Sequence, residues 1–302
     1  MIGAAVVEAL ESFVPRENIL LQERMAGHTT FRIGGCADCF VQLENETQLK
    51  GIQRYLGLAE IPYFVLGNGS NLLVSDDGFR GVVLQIGRRM SGISVEGRRI
   101  IAKAGATMAQ AAHAAWENGL TGLEFAAGIP GTVGGGVIMN AGAYGGEMAQ
   151  VVPRVSVVNG QGEVMELDNE TMEFGYRTSS IKNKRFAVTE VVFSLERGDK
   201  EAIGARMEEL GARRREKQPL EYPSAGSTFK RPEGHFAGKL IMEAGLGGFQ
   251  IGGARVSKKH CGFVVNTGDA TAEDVRKVIS EVQRQVKEMF HVDLEPEVIF
   301  FG

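Results

Sequence analysis

The 302-residue chain is poor in several things, and each shortage excludes a class of protein. It has 3 cysteines, and so small and odd a number rules out a disulfide framework and fits a reducing cytosol. A cytoplasmic location is therefore expected. No apolar run approaches the length needed to span a bilayer. The N-terminal stretch MIGAAVVEALESFVPRENIL carries Glu8 and Glu11 and lacks a basic leader and a cleavage site, so it reads as a short amphipathic helix and not as a signal peptide. Lys and Arg total 33 against 37 Asp and Glu, a net charge of −4, which leaves no overall basic footprint for nucleic acid. No G-x-x-x-x-G-K-[ST] loop occurs. Cys36-Ala-Asp-Cys39 lies in an extended stretch whose i and i+3 side chains point to opposite faces, and no His pair sits at zinc spacing, so neither a dithiol nor a metal site is expected.

Glycine is the residue in excess, with 41 copies, about twice the usual share. The densest stretch is AAGIPGTVGGGVIMNAGAYGG, residues 126–146, where 8 of the 19 residues from Gly128 to Gly146 are glycine. A linker would be polar and Gly/Ser-rich. This tract carries Ile129, Val133, Val137, Ile138 and Met139, which call for burial, and Pro130 stiffens its entry. Glycine among apolar residues suits a buried turn whose backbone N–H groups approach a ligand.

Along the chain, Leu49, Ile52, Tyr55 and Leu56 predict a helix over about 47–58. Tyr63–Leu66 reads as a buried strand, Gly67-Asn68-Gly69-Ser70-Asn71 as a turn forming an anion nest, and Leu72–Val74 as a resumed strand. Further strands are expected at 29–43, broken by Gly34-Gly35, at 82–86 and at 186–195. Hairpins are expected around Glu96-Gly97-Arg98 and around the NGQG of 159–162. Thr107 caps a helix that Gly119 closes. Near residue 197 the texture turns to a charged amphipathic helix with Ile203, Met207 and Leu210 on one face, broken by Pro219 and Pro223. Arg213-Arg214-Arg215 with Lys217 reads as the solvated face of that helix, though Lys217 is placed to reach an anionic substrate. A domain boundary is expected near residue 200. Beyond it come a strand at GFVVN, a helix with a Thr271/Asp274 capping box and an apolar stripe of Val275, Val278, Ile279, Val282 and Val286, and a last strand.

Two glycine-rich turns, 67–71 and 128–136, each after a buried apolar run, favour a ligand with more than one phosphate, such as FAD. Neither fits the Rossmann fingerprint. Three short polar segments follow: Gly175-Tyr176-Arg177-Thr178-Ser179, Ser224-Ala225-Gly226-Ser227-Thr228-Phe229-Lys230 and Leu294-Glu295-Pro296-Glu297-Val298. Taken singly they are ordinary surface residues.

Taken in order, GNGSNLLVSD, AGIPGTVGGGVIMNAGAYGGE, GYRTSSIK, SAGSTFKRP and LEPEV resemble the UDP-N-acetylenolpyruvoylglucosamine reductase family from about Thr29 to the C-terminus. The spacing is similar to the family's shorter, second type, which lacks an insertion carrying a substrate-capping tyrosine. The resemblance implies an α+β fold, with a two-lobed FAD-binding domain of the vanillyl-alcohol-oxidase (PCMH) type and a smaller α/β substrate-binding domain. The implied divisions are 1–28, 29–88, 89–200 and 201–302. It implies FAD held by Gly67, Asn68, Gly69, Ser70, Asn71, Gly128, Ile129, Pro130, Gly131 and Gly135, and lined by Ile138, Asn140 and Gly142. Tyr144, Lys217, Lys230 and Arg231 are implied to meet the substrate. The implied reaction takes a hydride from NADPH and passes it through FAD to C3 of UDP-N-acetylglucosamine enolpyruvate. Arg177 and Glu297 would steady the enol intermediate and Ser227 would protonate C2, with a cation such as Lys230 nearby. A monomer with only small-molecule partners is expected, without metal, nucleic acid or membrane insertion. Rival readings are another FAD-linked oxidoreductase of the same fold and a non-catalytic flavin-binding protein.

Overall fold

The computed structural model describes residues 2–302, which group into two compact units, each discontinuous in sequence. The first takes the residues up to Leu21, Cys39–Asn68 and Gly81–Arg214; the second takes Gln22–Asp38, Gly69–Arg80 and Arg215–Gly302. The single cut expected near residue 200 therefore differs from the observed grouping, because two early segments fold with the C-terminal residues.

In the first unit, helix α1 (Ala4–Glu11) buries Leu10. Helix α2 (Glu46–Leu58) starts at Asn45, whose side chain accepts the Gln48 N–H, and it buries Leu49, Ile52 and Leu56 as the helical spacing predicts. Tyr63–Leu66 then pairs in parallel with the strand Phe79–Gln85, Tyr63 opposite Val82. An antiparallel sheet follows, ordered Val164–Asp168, Arg154–Val158, Ala187–Ser194, Arg99–Lys103, Ile93–Glu96. Its middle strand, Ala187–Ser194, is buried along most of its length, with Glu190 half-buried and only Ser194 exposed, as suits a strand with neighbours on both sides. Helix α3 (Met108–Glu117) opens with a capping box in which the Thr107 side chain accepts from Gln110 N and the Gln110 side chain accepts from Thr107 N.

The glycine tract departs from the expected turn. It contains a helix of 6 residues, α4 (Val133–Ile138), capped by Thr132, whose hydroxyl accepts the Gly135 N–H at 3.2 Å. Val133 and Val137 are fully buried, while Ile129, Ile138 and Met139 are half-buried. Helix α5 (Lys200–Lys217) buries Ile203 and Leu210 and carries this unit to Arg214.

In the second unit, helix α6 (Ala237–Glu243) and helix α7 (Ala272–Phe290) accompany an antiparallel sheet of Gln250–Ile251, Ala254–Val256 and Val264–Asn266. The stripe Val275, Val278, Ile279, Val282 and Val286 on α7 is at most 2% exposed, each side chain contributing about 1.5–3 kcal/mol by burial. The early segments are held here by specific contacts. Leu72–Val74 pairs in parallel with Ile299–Phe301, and Phe31, Ile33 and Leu73 join the apolar core. Asn266 Nδ2 donates to Phe31 O at 3.1 Å. The Asp76 carboxylate accepts the N–H groups of Ala272 and Glu273 at 2.8 and 3.1 Å, adding a second cap to α7 beside the Thr271/Asp274 box.

Candidate active site

Within the first unit the two glycine turns meet at one residue. A Cβ placed on Gly67 would lie 2.5 Å from Thr132 Oγ1, so only glycine lets the 67–68 turn approach the cap of α4 this closely. Asn68 is exposed, and Gly128, Pro130 and Gly135 are exposed on the tract itself. Gly134 and Gly136 serve packing instead: a Cβ there would come 2.9 Å from Ala104 Cβ and 2.7 Å from Met108 Sδ. Gly131 is tied in through its carbonyl, which accepts the Met108 N–H at 3.0 Å. The first N–H groups of α4 are taken within the protein, Val133 N by Ala106 O at 2.7 Å, Gly134 N by Ala104 O at 2.9 Å and Gly135 N by Thr132 Oγ1. What the two turns offer a dinucleotide's phosphates is therefore close approach to exposed backbone without side chains at Gly128 and Gly135, and the exposed Asn68. The residues present therefore fit a flavin dinucleotide.

The segment after α4 is bolted to the turn that carries Arg177. Asn140 is 2% exposed; its Nδ2 donates to Gly175 O at 3.1 Å and its Oδ1 accepts from Ala149 N at 2.9 Å. Ser179 Oγ donates to Ile138 O at 2.8 Å, Lys182 Nζ donates to Arg177 O at 2.9 Å, and Arg177 Nη1 donates to Gly142 O at 3.4 Å. Gly175 and Thr178 exchange backbone hydrogen bonds of 3.1 and 3.2 Å, making a tight turn with Tyr176 and Arg177 at its centre. Arg177 sits at φ 54°, Asn140 at φ 40° and Tyr144 at φ 54°. Left-handed backbone at a bulky residue is strained, and strain of this kind collects where function over-determines the structure. Tyr144 tops the small hairpin Gly142–Ala143 and Gly146–Glu147 and is 40% exposed.

The rest of the 67–71 turn belongs to the second unit. Gly69 has φ 59°, and a Cβ there would lie 2.2 Å from His28 O, so glycine is fixed by packing. Ser70 is half-buried. Asn71 Nδ2 donates to Glu297 O at 3.2 Å, and Asn71 O accepts from Ile299 N at 3.0 Å. The same unit joins two motifs 70 residues apart in sequence, Ser227 and Glu297. Phe229 and Pro296 form an antiparallel bridge, Glu297 N donates to Thr228 O at 2.8 Å, and Lys230 N donates to Glu295 O at 2.8 Å. Thr228 Oγ1 accepts the Val264 N–H at 2.9 Å, which anchors the bridge to the sheet. Ser227 and Glu297 are both half-buried, and among the described residues no hydrogen bond occupies the Ser227 hydroxyl.

The basic residues divide. Lys230, three residues after Ser227, forms an ion pair with Glu295. Arg231 lies over the Phe236 ring, 4.1 Å from its centroid. Lys217 is exposed at the end of α5. Arg214, read from sequence as solvated, is half-buried. Burial lowers its pKa from the ordinary guanidinium value, and the Tyr144 hydroxyl partly offsets this. Sequence reading also missed Thr132; a threonine directly before an apolar, glycine-rich run is an N-cap signal that would have found it.

Two glycine turns on a capped helix, and a separate α/β unit presenting a hydroxyl and a carboxyl, define the class: an FAD-binding oxidoreductase of α+β fold. The FAD binding domain family matches residues 37–168, and the family described as UDP-N-acetylenolpyruvoylglucosamine reductase, C-terminal domain, matches residues 218–301. A UDP-N-acetylenolpyruvoylglucosamine reductase of Caldanaerobacter subterraneus subsp. tengcongensis is 49% identical over 98% of both chains. The crystal structure of the Thermus caldophilus reductase is 37% identical, has a TM-score of 0.81 and covers 94% of this chain and 98% of its own. Phl p 4.0202, a glucose dehydrogenase, shares 13% identity at a TM-score of 0.50 over 65% of this chain and 44% of its own, a likeness of fold alone. The chain belongs to the UDP-N-acetylenolpyruvoylglucosamine reductase family. It is a flavoenzyme of peptidoglycan precursor synthesis that reduces the enolpyruvyl group of its sugar nucleotide.

Proposed function

We propose that the chain reduces UDP-N-acetylglucosamine enolpyruvate to UDP-N-acetylmuramate at the expense of NADPH, with Arg177, Ser227 and Glu297 as its catalytic residues. Bound FAD supplies the hydride relay between NADPH and the enolpyruvyl double bond. Gly67, Asn68, Gly69, Ser70 and Asn71, together with Gly128, Ile129, Pro130, Gly131 and Gly135, hold the dinucleotide, and Ile138, Asn140 and Gly142 line its ring. Arg177 presents a planar two-pronged cation to the substrate carboxylate, where negative charge grows as C3 is reduced. Glu297 steadies the same enol through a hydrogen bond. Ser227 delivers a proton to C2; a hydroxyl is a weak acid in water but a competent donor to a strongly basic carbon in a site closed to solvent. Tyr144, Lys217, Lys230 and Arg231 meet the rest of the sugar nucleotide. The enzyme works as a monomer in the cytoplasm, with the stretches 67–71 and 128–142 serving the flavin and the C-terminal stretch that carries Ser227 and Glu297 serving the substrate.

The observation that carries this reading is the bridge between Phe229 and Pro296, which sets the Ser227 motif against the Glu297 motif. The test is spectroscopic. Purified protein should show a flavin spectrum, bleach under anaerobic NADPH, and recover its colour when the enolpyruvyl sugar nucleotide is added, with UDP-N-acetylmuramate as product. Recovery with oxygen alone, and none with the sugar nucleotide, would sink the proposal.

A further inference from the structure

On α5 the positions 203, 210 and 214 share one face, since steps of seven and four residues return to the same side of a helix. Ile203 and Leu210 occupy that face as buried residues, and Arg214 continues it. The neighbouring arginines behave differently: Arg206 and Arg213 both pair with Glu209 on the solvent side. Arg214 has no such partner; among the described residues no ion pair or hydrogen bond reaches its guanidinium. Its stem crosses the start of the glycine tract, where a Cβ on Gly128 would lie 3.1 Å from Arg214 Cδ and 3.8 Å from Nη1. Tyr144 is the one titratable group whose charge bears on it.

We propose that Arg214 is the counter-ion for a diphosphate, either the phosphoanhydride of the flavin dinucleotide or that of the sugar nucleotide. This rests on the functional reading above and adds a binding residue to it. A half-buried cation without an anion is unfavourable, so the partner arrives with a ligand. Gly128 is exposed and carries no side chain to keep a phosphate away, and a guanidinium fork matches two phosphate oxygens at once. The rival explanation is that Arg214 only lays its hydrocarbon stem over the turn. Methionine keeps such a stem and loses the charge, which separates the two.

The test uses Arg214→Met and Arg214→Lys beside the unmutated protein. Dissociation constants are measured for FAD and FMN on apoprotein, and for UDP and UMP on the holoenzyme, with apoprotein melting temperature as the structural control. The expected result is at least a tenfold weakening by Arg214→Met for FAD but not FMN, or for UDP but not UMP, with partial recovery in Arg214→Lys and an unchanged apoprotein melt. The first pattern assigns the flavin diphosphate and the second the sugar nucleotide's. Unchanged affinities, or equal losses for FAD and FMN and for UDP and UMP whatever the melt, each overturn the inference. If the unmutated protein binds neither FAD nor UDP, the functional reading falls and this inference with it; binding by the unmutated protein and no change in the variant overturns the inference alone.

Discussion

Asn140→Gly isolates the link between the flavin tract and the Arg177 turn. The backbone at Asn140 has φ 40°, which glycine adopts without strain, so the substitution removes side-chain bonds and little else. Two bonds go: the one donated to Gly175 O at 3.1 Å and the one accepted from Ala149 N at 2.9 Å. Each contributes about 1 kcal/mol net, and a buried partner left unsatisfied costs about 1–3 kcal/mol. The expected stability loss is therefore about 2–4 kcal/mol. The kinetic effect follows from the turn itself. Arg177 at φ 54° stores about 1 kcal/mol or more of strain, and the bond to Gly175 O helps to hold it. Losing about 1.4 kcal/mol of support shifts the ratio of competent to relaxed turn roughly tenfold, which sets the upper bound on the effect.

Stopped-flow measurement of the two half-reactions reads this directly. Reoxidation of reduced holoenzyme by the enolpyruvyl sugar nucleotide should slow by up to about tenfold, while bleaching by NADPH changes less than about twofold. Asn140→Asp keeps the acceptor for the Ala149 N–H but sets a carboxylate oxygen against Gly175 O, so it should recover part of the stability and none of the rate. Equal slowing of both half-reactions, or a lowered melting temperature with neither rate changed, would show that Arg177 does not depend on Asn140.

Other substitutions probe the remaining links. Ser227→Ala should leave NADPH bleaching intact and abolish reoxidation by the sugar nucleotide; normal turnover of both halves would remove Ser227 from the proton-donor role. Ile279→Ala should cost about 2–5 kcal/mol in chemical denaturation, since the side chain is 2% exposed on the core face of α7. Asp274 accepts the Thr271 N–H, which holds its carboxyl below the ordinary value of 3.8 against the opposing effect of burial. A depressed folded-state pKa means that its contribution is present above the unfolded value and is lost as pH falls through the folded one. The difference in melting temperature between the protein and Asp274→Asn should thus be constant near neutrality and close below about pH 4.

Much of the local structure was legible because it depends on local physics. The stripes of α2 and α7, the Thr107 and Thr271 caps, and the two hairpins follow from periodicity and capping chemistry within a few residues. The grouping of 22–38 and 69–80 with the C-terminal residues was not legible, since it rests on partners far along the chain: Asn266 to Phe31, Asp76 to Ala272, Leu72 beside Ile299. The helix inside the glycine tract was hidden by propensity. Three consecutive glycines argue against a helix, and contacts with Ala104 and Met108 override that. Arg214 was misread for a related reason. A run of three arginines looks like one solvated face, yet a helix sends consecutive residues in different directions. The polar motifs at Arg177, Ser227 and Glu297 carried no compositional signal and were visible only through family resemblance.

The glycines of the tract separate into two kinds, and one comparison tests the division. Gly134 and Gly136 face protein, where a Cβ would sit 2.9 Å from Ala104 Cβ and 2.7 Å from Met108 Sδ. Gly135, between them, is exposed, and the one atom within reach of its Cβ is Thr132 Oγ1 at 3.4 Å. Adjacent positions on a helix point in different directions, so α4 turns two bare positions inward and one outward. Glycine costs about 1 kcal/mol in a helix relative to alanine, so Gly135 adds nothing to stability, and the open space over it suits a ligand. Gly134→Ala should therefore lower the melting temperature of apoprotein, because strand and helix must part. Gly135→Val should leave that melt unchanged within about 0.5 kcal/mol and yet abolish FAD binding, read as loss of the yellow colour and of flavin quenching on titration. A Gly135→Val protein that purifies yellow places the flavin's phosphates elsewhere, whereas a colourless variant with a collapsed melt returns Gly135 to the packing class.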